Sequence, residues 1–237
     1  MTRGTTTVLR IADGSTMSAF VARPSDEGRH PGLMVFHEAF GVNAHIRDVA
    51  TRLAGEGYTA IAPELFHRTG THLEGSYTDF ESMRPHFSAL DDAGLEADIR
   101  AAFEWLRADT GTDAGRIASV GFCLGGRVSF LANAAVPVKA AASFYGGGIA
   151  QGYLSRATAL HAPMLFFWGG LDKHIRPEHT AAVTTALREA GKSFVNVEFS
   201  DADHGFFCDA RKSYNPPAAQ QAWGLLLDFL KLFLRGR

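Results

Sequence analysis

The chain has 237 residues, of which 46% are hydrophobic and 20% charged, and this is ordinary for a soluble globular protein. The formal net charge of −2 gives no support to a nucleic-acid partner or to binding at an anionic membrane surface. Two cysteines, Cys123 and Cys208, are too few for a disulfide framework in a chain of this length. Residues 1–14 lack the apolar core of a secretory signal, and no apolar run approaches the length of a membrane span, so we expect a cytoplasmic protein.

Short apolar runs alternate with amphipathic stretches along most of the chain, which predicts strands alternating with helices. The predicted strands lie at residues 5–11, 17–21, 32–36, 58–62, 116–120, 138–145, 164–168 and 194–199. The predicted helices lie at residues 45–56, 95–107, 124–135, 178–190 and 218–234. The first two strands should form a hairpin. The later alternation predicts a single α/β domain over residues 1–237, in which a mostly parallel sheet carries helices on both faces.

One segment, residues 64–91, does not fit this alternation. It is polar, irregular and rich in histidine. Such an excursion over a sheet is the usual place for a segment that covers a substrate site, so we interpret residues 64–91 as cap-like.

The sequence G-F-C-L-G-G at residues 121–126 stands between a predicted strand and a predicted helix. It has the pattern of the G-x-S-x-G nucleophile elbow with cysteine in place of serine. A side chain at Gly121 or Gly125 would crowd the neighbouring strand and helix, as expected where a nucleophile is held in a strained turn. Cys123 would stand at a helix N-terminus, where the helix dipole favours a thiolate. A buried structural cysteine is the alternative.

A cysteine nucleophile needs a base and a third group that orients the base. Asp172 follows the strand predicted at 164–168, and His204 follows the strand predicted at 194–199. Both therefore stand past carboxyl ends of strands, where the functional groups of parallel sheets gather, in the order nucleophile, acid, histidine. Taken alone, Asp172 could cap a turn and His204 could be a solvated loop histidine. Order and placement together favour a Cys–His–Asp triad.

Two other aspartates, Asp201 and Asp203, are rival orienting acids. They lie so near to His204 in sequence that they cannot naturally reach its ring from another strand. We therefore prefer Asp172 as the third member of the triad.

The loop H-E-A-F-G at residues 37–41 directly follows the strand predicted at 32–36. A loop in this place commonly donates one amide of an oxyanion hole, and the residue after the nucleophile donates the other. The predicted donors are the backbone N–H groups of Ala39 and Leu124. Glu38 would oppose a thiolate by like-charge repulsion, which predicts a thiol held neutral, or used as a proton store, until substrate binds. A surface loop glutamate is the alternative.

Seven motifs make the chain similar to the dienelactone hydrolase family, a branch of the α/β-hydrolases that uses cysteine. They are H-E-A-F-G at 37–41, H-I-R-D-V-A at 45–50, A-P-E-L-F at 62–66, G-F-C-L-G-G at 121–126, F-Y-G-G-G at 144–148, G-G-L-D at 169–172 and H-G-F at 204–206. The resemblance implies the α/β-hydrolase fold and a reaction without metal or organic cofactor. It implies Cys123 as nucleophile, His204 as base and Asp172 as orienting acid. Glu38 would be the partner of the resting thiol.

The same resemblance raises the question of which residues bind the substrate. Members of the family hold a substrate carboxylate with arginines, one of them four residues after the catalytic histidine, where this chain has Cys208. Arg84 and Arg211 are the remaining candidates, because a guanidinium binds a carboxylate through paired hydrogen bonds. Tyr145 is a candidate for the pocket wall. Surface solubility explains many arginines and core packing many tyrosines, and for Cys208 we favour packing.

The sequence thus predicts a carboxylic ester hydrolase, similar to carboxymethylenebutenolidases, that cleaves a small lactone or ester through a thioester acyl-enzyme. A general carboxylesterase or thioesterase on the same scaffold is the alternative. A thiol redox protein or binding protein fits less well, because it has no use for Asp172 and His204 in triad order. The expected partner is a small-molecule substrate, with neither nucleic acid nor membrane, and the expected state is a monomer or small homo-oligomer.

Overall fold

A computed structural model describes residues 3–234 of the chain. These residues form two compact units, and the division falls between Ala118 and Ser119. The single domain over residues 1–237 stays a prediction, and its ends, residues 1–2 and 235–237, lie outside the described residues.

The first unit contains the antiparallel hairpin and the first parallel pair. Its elements are the strands β1 (Arg3–Arg10), β2 (Thr16–Arg23), β3 (His30–Phe36) and β4 (Thr59–Pro63) and the helices α1 (Ala44–Gly55), α2 (Phe80–Ser88) and α3 (Asp92–Ala108). The strands are ordered β1-β2-β4-β3, with β1–β2 and β2–β4 antiparallel and β3–β4 parallel. Every residue of β4 is buried, which explains why a continuous apolar run marks this strand in the sequence.

The second unit is built on parallel strands. The strand β5 (Thr112–Phe122) runs into it from the first unit, and the elements that follow are α4 (Leu124–Ala135), β6 (Ala141–Phe144), α5 (Ile149–Gly152), a 3₁₀ helix (Leu154–Ala159), β7 (Met164–Gly169), α6 (Pro177–Glu189), β8 (Phe194–Phe199) and α7 (Pro216–Leu234). The order is β5-β6-β7-β8, and each neighbouring pair is parallel. The carboxyl ends of these strands therefore share one edge, and the loops after β5, β7 and β8 begin there.

Most of the predicted strands and helices are confirmed, and α4 and β8 have the predicted bounds. The strand β6 is shorter than predicted, and its end is followed by Tyr145, whose φ of 38° is incompatible with an extended strand.

The prediction that residues 64–91 are irregular is wrong in part, because α2 lies within them. Pro85 conceals this helix in the sequence, since proline is normally a helix breaker, while Asp79 caps its first turn by accepting from the Ser82 N–H.

The last helix, α7, is the longest in the described part of the chain and has one buried face. Ala222, Leu226 and Leu230 repeat every fourth residue and are fully buried. Leu225 and Leu232 are exposed on the other side. Across residues 3–234, no helix combines the length and the apolar character that crossing a membrane requires.

The turn between β5 and α4 fixes the position of Cys123. Cys123 has a φ of 55°, in the left-handed region that non-glycine residues rarely adopt. Its N–H donates to the Phe144 carbonyl at 3.0 Å, and its own carbonyl accepts from the Gly126 N–H at 3.0 Å. A Cβ on Gly121 would lie 1.8 Å from the Gly125 carbonyl oxygen, so the crowding predicted at Gly121 is confirmed. The strained cysteine is thus held by hydrogen bonds to the next strand and to its own helix.

We expect Gly121→Ala to lower the free energy of unfolding by about 3 kcal/mol or more, because its Cβ would overlap backbone that cannot move freely. Gly224→Ala is the matched control. A Cβ at Gly224 meets nothing within 4 Å, and alanine in this helix should stabilise the protein by up to about 1 kcal/mol. Urea unfolding of both variants measures the difference. Wild-type stability for Gly121→Ala would contradict the tight turn.

Candidate active site

Three side chains selected from the sequence come together in the second unit. His204, in the loop after β8, places its Nδ1 2.7 Å from Oδ2 of Asp172, in the loop after β7. The side chain of Cys123, which is half-buried at the start of α4, is hydrogen-bonded to the same imidazole. Sulfur, imidazole and carboxylate therefore form one connected series at the shared edge of the parallel strands.

Asp172 acts on a turn and on a histidine at the same time. Its Oδ1 accepts from the backbone N–H groups of His174, at 2.7 Å, and Ile175, at 3.1 Å. This leaves Oδ2 for His204. Burial opposes the charged form, but the hydrogen bond and charge of His204 and the two amides outweigh it, so the pKa of Asp172 lies below its ordinary value. From the sequence, turn-capping and orientation of the histidine are alternative roles for Asp172, whereas the structure shows both contacts.

His204 is nearly buried, with 12% of its side chain exposed. Burial by itself would lower its pKa, but the charge on the Cys123 sulfur and the hydrogen bond to Asp172 favour the protonated ring. The balance raises the pKa of His204 to about 10. A thiolate paired with an imidazolium is the reactive form of a cysteine nucleophile.

Among the hydrogen bonds that the structure describes, none joins the imidazole of His204 to Asp201 or Asp203. Asp203 uses its Oδ1 to accept the backbone N–H of His204 at 2.6 Å, so it shapes the loop. Asp201 is exposed. The carboxylate that bonds to the ring is that of Asp172, and its role as orienting acid stays a prediction.

Tyr145 lies beside the imidazole. It is fully buried, and its ring centroid is 5.1 Å from that of His204 and 5.3 Å from that of Phe206. Tyr145 therefore packs in the core and also contacts the ring of His204. A direct role in substrate binding stays a prediction.

The two candidate arginines have different surroundings. The guanidinium of Arg211 lies against Gly205, where an added Cβ would approach the Arg211 Cζ to within 2.4 Å. Arg211 is thus next to the residue that follows His204. Arg84 lies on α2, exposed, with its guanidinium paired to Glu81 one turn earlier. Both assignments as substrate-binding residues stay predictions.

The loop after β3 is ordered by a histidine whose role the sequence did not reveal. His37 is fully buried, its Nε2 accepts from the Leu65 N–H at 3.1 Å, and its Nδ1 bonds to the Glu38 carbonyl. Burial lowers the pKa of His37 to about 4, which keeps the ring neutral at physiological pH. Glu38 is also fully buried, so its reading as a surface glutamate is wrong. The sequence feature that could have pointed to His37 is its position directly after a buried strand.

The other residues selected from the sequence occupy defined places, and their roles stay predictions. Ala39 is buried in the loop after β3, in the first unit. Leu124 opens α4 in the second unit. Cys208 is fully buried in the second unit, as expected of a packing residue.

Comparisons with known proteins point to one family. A profile of the Dienelactone hydrolase family matches residues 17–234. The chain is 37% identical over 235 residues to a protein of Escherichia coli O157:H7 named "Putative carboxymethylenebutenolidase", and the match covers 94% of this chain and 84% of that protein. A Synechocystis protein of the same name is 34% identical over 228 residues, covering 92% of this chain and 93% of that one.

A solved structure gives the same result at the level of the fold. A crystal structure described as a "Putative Dienelactone Hydrolase" from Klebsiella pneumoniae superposes with a TM-score of 0.90 at 34% identity, covering 97% of this chain and 98% of that one. The predicted α/β-hydrolase fold is thereby confirmed. On the profile match and these relatives, the chain belongs to the dienelactone hydrolase family, whose members are esterase-type hydrolases.

Proposed function

We propose that the chain hydrolyses a small lactone or carboxylic ester through a Cys–His–Asp triad and a thioester acyl-enzyme. The observation that carries this proposal is the single imidazole bonded to both Asp172 and Cys123. Because Nδ1 is occupied by Asp172, Nε2 is the nitrogen that serves the sulfur. This is the arrangement that nucleophilic catalysis by cysteine requires.

In the first step the Cys123 sulfur, whose proton has passed to Nε2 of His204, attacks the carbonyl carbon of the substrate. A carbon–sulfur bond forms, and the carbonyl π electrons move to the oxygen. We assign the stabilisation of this oxyanion to the N–H groups of Leu124 and Ala39. Leu124 begins α4, where the first amides have no partner within the helix and the dipole favours negative charge.

Collapse of the tetrahedral intermediate breaks the carbon–oxygen bond of the ester. The departing alkoxide takes the proton from His204, which leaves a thioester on Cys123; for a lactone, the ring opens and the alcohol stays attached. His204 then takes a proton from water, and the hydroxide attacks the thioester carbon. The second collapse breaks the carbon–sulfur bond, releases the acid and returns the thiolate.

The substrate class follows from the relatives and from the charge of the candidate binding residues. A carboxymethylenebutenolide is a lactone that carries a carboxylate, and a guanidinium is well suited to bind it. We therefore propose Arg211 and Arg84 as carboxylate-binding residues and Tyr145 as part of the pocket wall. A preference for uncharged esters in a substrate panel would instead favour the general carboxylesterase.

Glu38 has a separate proposed role at the resting thiol. We propose that its carboxylate opposes ionisation of Cys123 by charge repulsion until substrate rearranges the site. Glu38 is fully buried, so water does not screen the interactions of its carboxyl group.

Cys123→Ala and His204→Ala should each lower the turnover of a small activated ester by at least about 10⁴-fold, because each removes a member of one catalytic unit. His161→Ala is the matched control, since His161 is an exposed histidine of the same unit and should keep full activity. Mass spectrometry of the wild type, quenched with a panel of lactones and esters, should show an acyl adduct on Cys123. Wild-type turnover by Cys123→Ala would refute the nucleophile assignment.

The raised pKa of His204 makes a prediction about alkaline pH. In the wild type, kcat/KM should fall as pH rises through about 10, where the imidazolium loses the proton needed by the leaving group. Asp172→Asn removes a charge and hydrogen bond that favour the imidazolium, so this fall should move to lower pH by about 1–3 units. Asp201→Asn, at an exposed aspartate, is the control. An unshifted alkaline limb in Asp172→Asn would contradict the orienting role of Asp172.

Glu38→Gln should shift the midpoint of Cys123 alkylation to lower pH, because it removes the charge that opposes the thiolate. The rate of reaction with iodoacetamide, measured from acid to alkaline pH, reports the thiolate fraction. Glu27→Gln, at an exposed glutamate, should leave the midpoint in place. A midpoint that stays or rises in Glu38→Gln removes this role from Glu38.

A further inference from the structure

We infer that His174 is a positioning residue for His204, whose imidazole it holds at the angle that serves both Asp172 and Cys123. The inference rests on the proposed function and adds a residue to it. It comes from a ring contact at the site that none of the catalytic steps above uses.

The backbone of His174 and its side chain act on the same pair of residues. The His174 N–H donates to Oδ1 of Asp172 at 2.7 Å, while Oδ2 of Asp172 accepts from His204 at 2.7 Å. The His174 ring lies with its centroid 5.5 Å from that of His204, at an interplanar angle of 78°. The backbone of His174 therefore contacts Asp172, and its ring contacts His204, the residue that Asp172 binds.

The imidazole of His204 needs such a support because its hydrogen bond to Asp172 does not by itself fix the rotation of the ring, and its bond to Cys123 is kept only at the right rotation. The second side-chain torsion of histidine is broad, so the ring can turn while Nδ1 stays near its acceptor. A ring that turns in this way moves Nε2 away from the sulfur. Contacts against the faces and edges of the ring remove this freedom.

Two rings pack against His204, one of them buried and the other exposed. Tyr145 is fully buried, in contact with Phe206, and belongs to the core. His174 is exposed to solvent and is held through the turn that Asp172 caps. His174 thus adds a solvent-exposed ring to the contacts of the imidazole. The contact is edge-to-face, so an aromatic ring at this position is what the geometry requires, and an aromatic ring without nitrogen should replace it.

The test compares three variants. His174→Ala should lower kcat for an activated ester by about 2- to 12-fold, the effect of losing one edge-to-face ring contact, with KM changed by less than about two-fold. It should also slow the alkylation of Cys123 by iodoacetamide at pH 7, because a misplaced imidazolium stabilises less thiolate. His174→Phe should restore both values. Lys173→Ala, at the exposed residue between Asp172 and His174, should match the wild type.

The outcomes separate this inference from the proposed function. If turnover depends on Cys123 and His174→Ala keeps the wild-type kcat and alkylation rate, the positioning role is refuted and the proposed function stands. If turnover survives Cys123→Ala, the proposed function fails, and the alkylation rates still test the ring contact. Thermal melting confirms that each variant is folded. A folded His174→Phe that stays as slow as His174→Ala would overturn the inference.

Discussion

The hydrogen bond between Asp172 and His204 is the interaction on which the site depends, and its strength comes from where the carboxylate is placed. One oxygen of Asp172 accepts from two backbone amides, and this orients the other oxygen towards His204. Burial would otherwise favour a neutral carboxyl and a neutral imidazole. Because hydrogen bonds and opposite charges outweigh burial, both groups carry their charges at neutral pH.

This pair can form only because the backbone brings distant loops to one edge. The strands β7 and β8 are parallel neighbours, so the loops that carry Asp172 and His204 begin side by side. Cys123 reaches the same edge from β5 in a left-handed conformation, which the hydrogen bonds to Phe144 and Gly126 maintain. The strained backbone at Cys123 is therefore maintained by hydrogen bonds to the neighbouring strand and to its own helix.

The sequence predicted the parallel strands and the candidate triad because both leave local signals. Buried parallel strands appear as uninterrupted apolar runs, and functional residues follow them directly. The helix α2 was missed because Pro85 conceals it, and the end of β6 was misplaced because nothing in the sequence marks the positive φ of Tyr145. The ring of His174 and the ordering contact of His37 were also missed, since each depends on a long-range contact and not on a periodic pattern.

The charge that raises the pKa of His204 is not constant through the proposed reaction. Once substrate has rearranged the site, an ionised Cys123 sulfur favours the imidazolium, so His204 is ready to act as an acid towards the leaving alkoxide. Formation of the thioester removes that negative charge, while the burial that disfavours the imidazolium remains. The pKa of His204 must then fall, and the same ring becomes a base when water has to be activated. A cysteine nucleophile therefore switches its own histidine between the two roles that the two halves of the reaction require.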